Sequence, residues 1–155
     1  DRRSYRRPRP RLREAQYLRQ HGVLHSLIDI SDGLSSDLAH ICTESNVSAR
    51  LDAAHIPVSE EVRHSAQALQ VTPLTLALHG GEDFELCLTA PPGTLAPLQQ
   101  AFIAHFQCPL VRIGTVQAGH GVMLHLPDGT QQPLRARGYD HFRTHAAGTI
   151  EAPDA

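Results

Sequence analysis

Two short stretches of the sequence concentrate side chains able to do chemistry. The first, Asp29-Ile30-Ser31-Asp32-Gly33-Leu34, puts two carboxylates and a hydroxyl where an apolar run ends and a helical pattern begins. Ligands of open α/β sheets bind at such strand ends. Helix-opening amides suit a phosphate, but two acids beside them would repel it unless a hard divalent cation lay between, and magnesium is the obvious candidate. The plainer reading is that Asp32 or Ser31 caps the helix, worth about 1 kcal/mol, and that Asp29 is a solvated strand end. Asp37, one turn on, is expected only to favour the positive helix end. The second stretch, His79-Gly80-Gly81-Glu82-Asp83-Phe84-Glu85, delivers three carboxylates in four positions after a double glycine. Crowded like charges cost free energy unless something positive compensates, and the glycines allow the backbone to turn closely against a neighbour or ligand. Acids at a strand entrance are equally compatible with a solvated loop.

The elements that must position these residues follow from periodicity. Leu12, Ala15 and Leu18, with a stop at Gly22, predict a helix over 11–21; Leu24–Ile30 reads as a strand, and Leu34, Leu38, Ile41 and Cys42 mark one face of a helix ending near Asn46. A strand is expected at Val47–Asp52, a helix opening at Ser59-Glu60, and a helical turn from Thr72-Pro73 through Leu78. Phe84–Thr89 is a second strand and Thr94–Phe106 a helix. Val111–Val116 and Val122–Leu126 look like a hairpin joined through Gly119 and Gly121, and Asp128-Gly129 signals a turn. Strands alternating with helices early and pairing late predict an α/β fold with a mixed sheet.

Composition bounds the rest. The 155 residues, 41% hydrophobic, suffice for one domain with a core. No apolar run approaches the roughly 18 residues of a membrane span, and no leader pattern is visible, so a cytoplasmic protein is expected. Residues 1–13 hold seven arginines against Asp1; the rest carries 7 Arg against 15 acids. That acidic body argues against a nucleic-acid partner and favours a cation-holding site. Pro8 and Pro10 among arginines make residues 1–10 a linker, with the domain expected over 11–144 and a fraying tail over 145–155. The sole methionine is Met123, which suggests a processed chain or a piece of something longer. Cys42, Cys87 and Cys108 have no pairing or zinc rhythm and read as core fillers. The pairs His21/His25 and His141/His145 are four apart, but neither falls on a helical face, so no metal site is expected from them.

Taken in order, Pro8-Arg-Pro-Arg11, Asp29-Ile-Ser-Asp-Gly-Leu34, Asp37-Leu-Ala-His-Ile41, Gly80-Gly-Glu-Asp-Phe-Glu-Leu86, Ile113-Gly114 and Gly138-Tyr-Asp-His-Phe142 resemble the carboxyl-terminal half of thiamine-monophosphate kinases, in the family related to aminoimidazole-ribonucleotide synthetase. The resemblance covers residues 8–142 and implies a layered mixed sheet with flanking helices. It implies that Asp29 and Asp32 bind Mg2+, that Ser31 contacts ATP, and that Glu82 contacts the thiamine substrate. An aromatic, Phe142 or Tyr139, would line the same pocket. The implied reaction is ATP-dependent phosphorylation of thiamine monophosphate, completed by an amino-terminal domain this chain lacks and carried out by a homodimer, with the isolated chain inactive. The alternatives are a non-catalytic module that keeps magnesium or thiamine-phosphate affinity, or a related ATP-dependent enzyme of the superfamily.

Overall fold

The computed structural model describes residues 9–22 and 24–136. In chain order these form α1 (Leu12–His21), β1 (Ser26–Asp29), α2 (Leu34–Glu44), β2 (Val47–Asp52), α3 (Glu60–Leu69), α4 (Pro73–His79), β3 (Leu86–Thr89), α5 (Gln99–Phe106), β4 (Gly114–Ala118), β5 (Gly121–His125) and β6 (Gln131–Pro133). Local chemistry sets several boundaries. The Gly22 amide donates to the Leu18 carbonyl at 2.8 Å and ends α1. Ser59 Oγ accepts from the Val62 amide at 3.2 Å to open α3, and Thr72 Oγ1 accepts from the Thr75 amide at 3.1 Å ahead of α4, where Pro73 needs no amide partner.

On α2, the periodic residues Leu34, Leu38, Ile41 and Cys42 are buried and form one core with Ala49 and Leu51 of β2, Val122 and Leu124 of β5, Leu78 of α4 and Cys87 of β3. The four-stranded sheet has the order β4-β2-β5-β6. β2 runs antiparallel to β4, with Ala49 opposite Val116, and parallel to β5, with Leu51 opposite Leu124. β1 and β3 make a separate antiparallel pair, Ile28 opposite Cys87 and Asp29 opposite Leu86. Both faces of β3 are covered: Cys87 faces the main core, while Leu86 and Leu88 line a small cavity with Leu18 of α1 and Phe102 of α5. Tyr17 ties α1 to α5 through edge contacts with Phe102 and Phe106, at 6.0 and 5.4 Å between ring centres.

The expected mixed α/β fold is present, but four local expectations change. β4 and β5 are not a hairpin, because β2 lies between them. The three peptide steps from Ala118 to Gly121 reach across two strand spacings, about 10 Å. The connection passes close to β2, and a Cβ at Gly119 would stand 3.0 Å from Ser48 Oγ. The true hairpin joins β5 to β6 at Asp128-Gly129, where Asp128 Oδ1 accepts from the Thr130 amide at 2.8 Å. Thr94–Phe106 is not one helix: Ala96–Leu98 is a 3-10 turn around Pro97, which has no amide to donate, and α5 begins at Gln99. The first strand is shorter than Leu24–Ile30, although the His25 amide still donates to Thr89 O and the Ile30 amide to Glu85 O, both at 2.8 Å. The strand expected from Phe84 starts at Leu86, because Glu82 and Phe84 adopt left-handed backbone conformations with φ of 63° and 51°. Residues 1–8, Tyr139, Phe142, His141 and His145 lie outside the described residues.

Candidate functional site

The two acidic stretches, about fifty residues apart in sequence, meet. The β1–β3 pairing continues past the strand ends: Ile30 donates to Glu85 O, Phe84 donates to Ile30 O, and Glu82 donates to Ser31 O, each at 2.8 Å. Glycine makes this approach feasible. A Cβ at Gly81 would stand 2.6 Å from the Ser31 carbonyl oxygen, and one at Gly33, where φ is 103°, would stand 3.0 Å from the Gly80 carbonyl oxygen. Two non-glycine residues in left-handed conformation cost about 1–3 kcal/mol each. The amides of Glu82 and Phe84 are the ones bonded to the acid turn, so the same contacts that hold the loops together hold the strain.

α2 begins at Gly33, and no side chain bonds to its first amides. The capping alternative for Asp32 and Ser31 is therefore not what the structure contains. The alternation along β1 leaves the Asp29 side chain exposed, Ser31 and Asp32 are half-buried, and Glu82 is exposed. Asp29, Ser31, Asp32 and Glu82 thus sit on two loops bonded to each other. Glu85, the third acid of the second stretch, does not join them as an open carboxylate: it is paired with Arg11.

Asp37 does more than the sequence reading expected. It is 2% exposed, and its Oδ2 accepts from the amides of both Ser31 and Asp32 at 3.1 Å. A buried carboxylate thereby fixes the turn that presents the open acids. Burial pushes the Asp37 carboxyl above the ordinary aspartate value of 3.8; the Asp32 amide opposes this, and the Asp32 charge adds to it. A sequence signal existed, since Asp37 lies three residues after Leu34 and four before Ile41, on the buried stripe. His79, read only as part of the glycine loop, also has a structural duty, with Nδ1 2.8 Å from Oγ of fully buried Ser35.

Asp37→Leu is expected to leave the Ser31 and Asp32 amides without their acceptor and to cost about 1–3 kcal/mol, whereas Asp37→Asn keeps an acceptor oxygen. The pH dependence has a definite sign. A carboxyl whose folded pKa is raised contributes stability fully present below its unfolded value and lost as pH rises through the folded value. Wild-type stability relative to Asp37→Asn should therefore fall as pH rises from below 3.8, then level off. Thermal melts of both proteins through the acid range test this, and a pH-independent difference would contradict it.

The open donors are all oxygen, which suits a hard cation. Among the described residues no three His, Cys, Asp or Glu side chains converge on one point. Magnesium is commonly held by only one or two carboxylates, the remaining positions being filled by water and phosphate oxygens, so Asp29 and Asp32 fit that ion better than a transition metal. The cysteines offer no alternative. Cys42 and Cys87 are buried, Cys108 is half-buried, and burial pushes the Cys87 thiol up to about 11, away from reactivity. His21 Nδ1 lies 2.9 Å from Tyr17 O, and its ring stacks on Tyr17, not on a metal partner. No described helix is long and apolar enough to cross a membrane.

A strand pair presenting an acid turn and a Gly-Gly-acid loop at the head of a core helix, beside a mixed four-stranded sheet, defines an α/β domain with a mixed sheet. Residues 2–126 match the family described as AIR synthase related protein, C-terminal domain, and the chain belongs to that family. It is similar to thiamine-monophosphate kinase of Escherichia coli K12, with 40% identity over 138 residues, covering 89% of this chain and 41% of that relative. Among solved structures it resembles thiamine-monophosphate kinase from Stenotrophomonas maltophilia K279a, with a TM-score of 0.67 and 36% identity over 79% of this chain and 36% of that one. It also resembles AaThiL complexed with AMPPCP and TMP, with a TM-score of 0.69 and 28% identity over 88% of this chain and 39% of that one. The chain thus spans about two fifths of the length of these relatives.

Proposed function

We propose that this chain supplies the carboxyl-terminal part of a thiamine-monophosphate kinase. The bond between the γ-phosphorus of ATP and its bridging oxygen breaks, a bond to a phosphate oxygen of thiamine monophosphate forms, and ADP and thiamine diphosphate leave. The observation that carries the reading is the direct bonding of the Asp29–Asp32 turn to the Gly81–Glu82 loop, which puts metal-type acids beside a separate open carboxylate. The relative complexed with AMPPCP and TMP supports the same pair of ligands.

The acceptor oxygen is already anionic at neutral pH, so the reaction needs no strong general base; it needs charge neutralised and atoms aligned. Asp29 and Asp32 would hold magnesium, which when bound screens the phosphate charges from one another. Ser31 contacts ATP, and Glu82 attracts the cationic thiazolium ring, with Tyr139 or Phe142 as its aromatic neighbour. The remaining ligands come from the amino-terminal domain of the same enzyme, which acts as a cytoplasmic homodimer. The 155-residue chain alone is inactive.

The test is formation of thiamine diphosphate and ADP from thiamine monophosphate, ATP and magnesium by the intact protein, amino-terminal domain included; such a protein, folded, that makes neither product refutes the reading. Within it, Glu82→Gln should weaken thiamine monophosphate binding about three- to thirtyfold and leave ATP binding nearly unchanged. Separate titrations of the two ligands check this, and equal weakening of both counts against Glu82 as the substrate contact.

A further inference from the structure

Arg11 stands just before α1, 74 residues away from Glu85 in sequence, yet the two are joined by a forked contact. Arg11 Nε donates to Glu85 Oε2 at 3.1 Å and Oε1 at 3.2 Å, Nη2 donates to Oε1, and Nη1 donates to Glu14 Oε1 at 3.1 Å. The hydrogen bond to Glu85 is the main reason the guanidinium is held above its ordinary pKa. Beside the pair lies a small cavity of about 60 Å³ whose wall includes Leu18, Leu86 and Phe102, so one side of the contact borders apolar surface. Glu85 has a second attachment. Its backbone carbonyl accepts from the amide of Ile30, the residue between Asp29 and Ser31. Its neighbour Phe84 donates to the Ile30 carbonyl, and Glu82 donates to Ser31 O. One residue therefore links the start of α1, through its side chain, to the acid turn, through its backbone.

The energetics say what this link is for. The Arg11 and Glu85 side chains are 27% and 47% exposed, and partly solvated ion pairs add little to global stability. A planar fork, by contrast, fixes direction as well as distance. The loop it orients includes two residues in left-handed conformation, which persist only where the surroundings over-determine them. We propose that Arg11 is a positioning residue for the phosphoryl transfer described above, a role resting on that reading: through Glu85 it fixes the acid turn against the glycine loop, so that Asp29, Ser31, Asp32 and Glu82 meet both phosphate ligands in one geometry.

Arg11→Ala, Glu85→Ala, the double variant and Arg11→Lys in the intact protein test this by two readouts. Amide hydrogen exchange at Ile30, Glu82 and Phe84 should speed up about tenfold in Arg11→Ala, while the amides of Leu51 and Leu124 in the other sheet stay as protected as in wild type. The kcat for thiamine diphosphate formation should fall about tenfold, with each KM moving less than about threefold, since misplacement of bound groups slows the transfer step. The double variant should lose no more than the single ones, because the two residues act as one unit. Arg11→Lys, which keeps the charge and loses the fork, should resemble Arg11→Ala. Unchanged exchange at the three loop amides, a uniform rise including Leu51 and Leu124, or additive losses in the double variant would each overturn the proposal. If the intact wild-type protein forms no thiamine diphosphate, the kinase reading has failed, and the exchange pattern still decides whether Arg11 holds the turn.

Discussion

Asp32→Asn and Asp29→Asn should each lower the rate of thiamine diphosphate formation by the intact protein about a hundredfold, the scale on which removing one preorganised electrostatic contact slows a charged transition state. The loss should be partly recovered by raised magnesium, because the remaining carboxylate and the phosphates still offer oxygen ligands. Stability should stay within about 0.5 kcal/mol of wild type, since neither side chain caps α2 and Asp29 points to solvent. Rate measured against magnesium concentration, with a melt of each variant, separates the outcomes. Wild-type rates accompanied by a loss of about 1 kcal/mol would restore the capping role.

Gly81→Ala should disrupt the contact between the two loops more directly than loss of any one of their side chains. Its Cβ would arrive 2.6 Å from the Ser31 carbonyl oxygen, against backbone that has no rotamer with which to yield. Relief requires the glycine loop to separate from the acid turn, which breaks the bond from Glu82 N to Ser31 O and strains the one from Phe84 N to Ile30 O. Overpacking of this kind costs about 1–3 kcal/mol, or some 2–12 °C in melting temperature for a domain this size. Binding of the phosphate ligands should fall further than stability does, because the displaced backbone is the site itself. A variant that binds thiamine monophosphate and ATP normally would show that the two loops need not touch.

Much of the architecture was legible because its causes are local. The strand-turn-helix around Asp29–Leu34, the Ser59 cap and the Thr72-Pro73 opening all rest on residues within a few positions of one another, and the structure has them. The exceptions depend on distant partners. Glycines at 119 and 121 say that the chain turns, but not that β2, some seventy residues earlier, occupies the space between the two strands. Phe84 looks like a strand residue by composition, yet its conformation is dictated by Ile30. The duty of Asp37 is hidden in the sequence because its partners precede it in the turn, and that of Glu85 because Arg11 lies 74 residues upstream. For the candidate site, residue types suggested the chemistry, whereas the contact between the two loops required the fold.

The central place of β2 bears on how the domain is made. β2 is synthesised before both of its neighbours, and its two hydrogen-bonding edges are filled by β4 and β5 only more than sixty residues later. β1 likewise waits for β3. Until residue 118 has emerged, the nascent chain carries a strand with two bare edges, and one of them stays open until residue 125, available for pairing with another extended chain. Such non-local pairing is slow, since loop closure must precede the contacts that reward it. The four-stranded sheet can therefore close only after its last strands have been made, and until then its unpaired edges are exposed to misassociation.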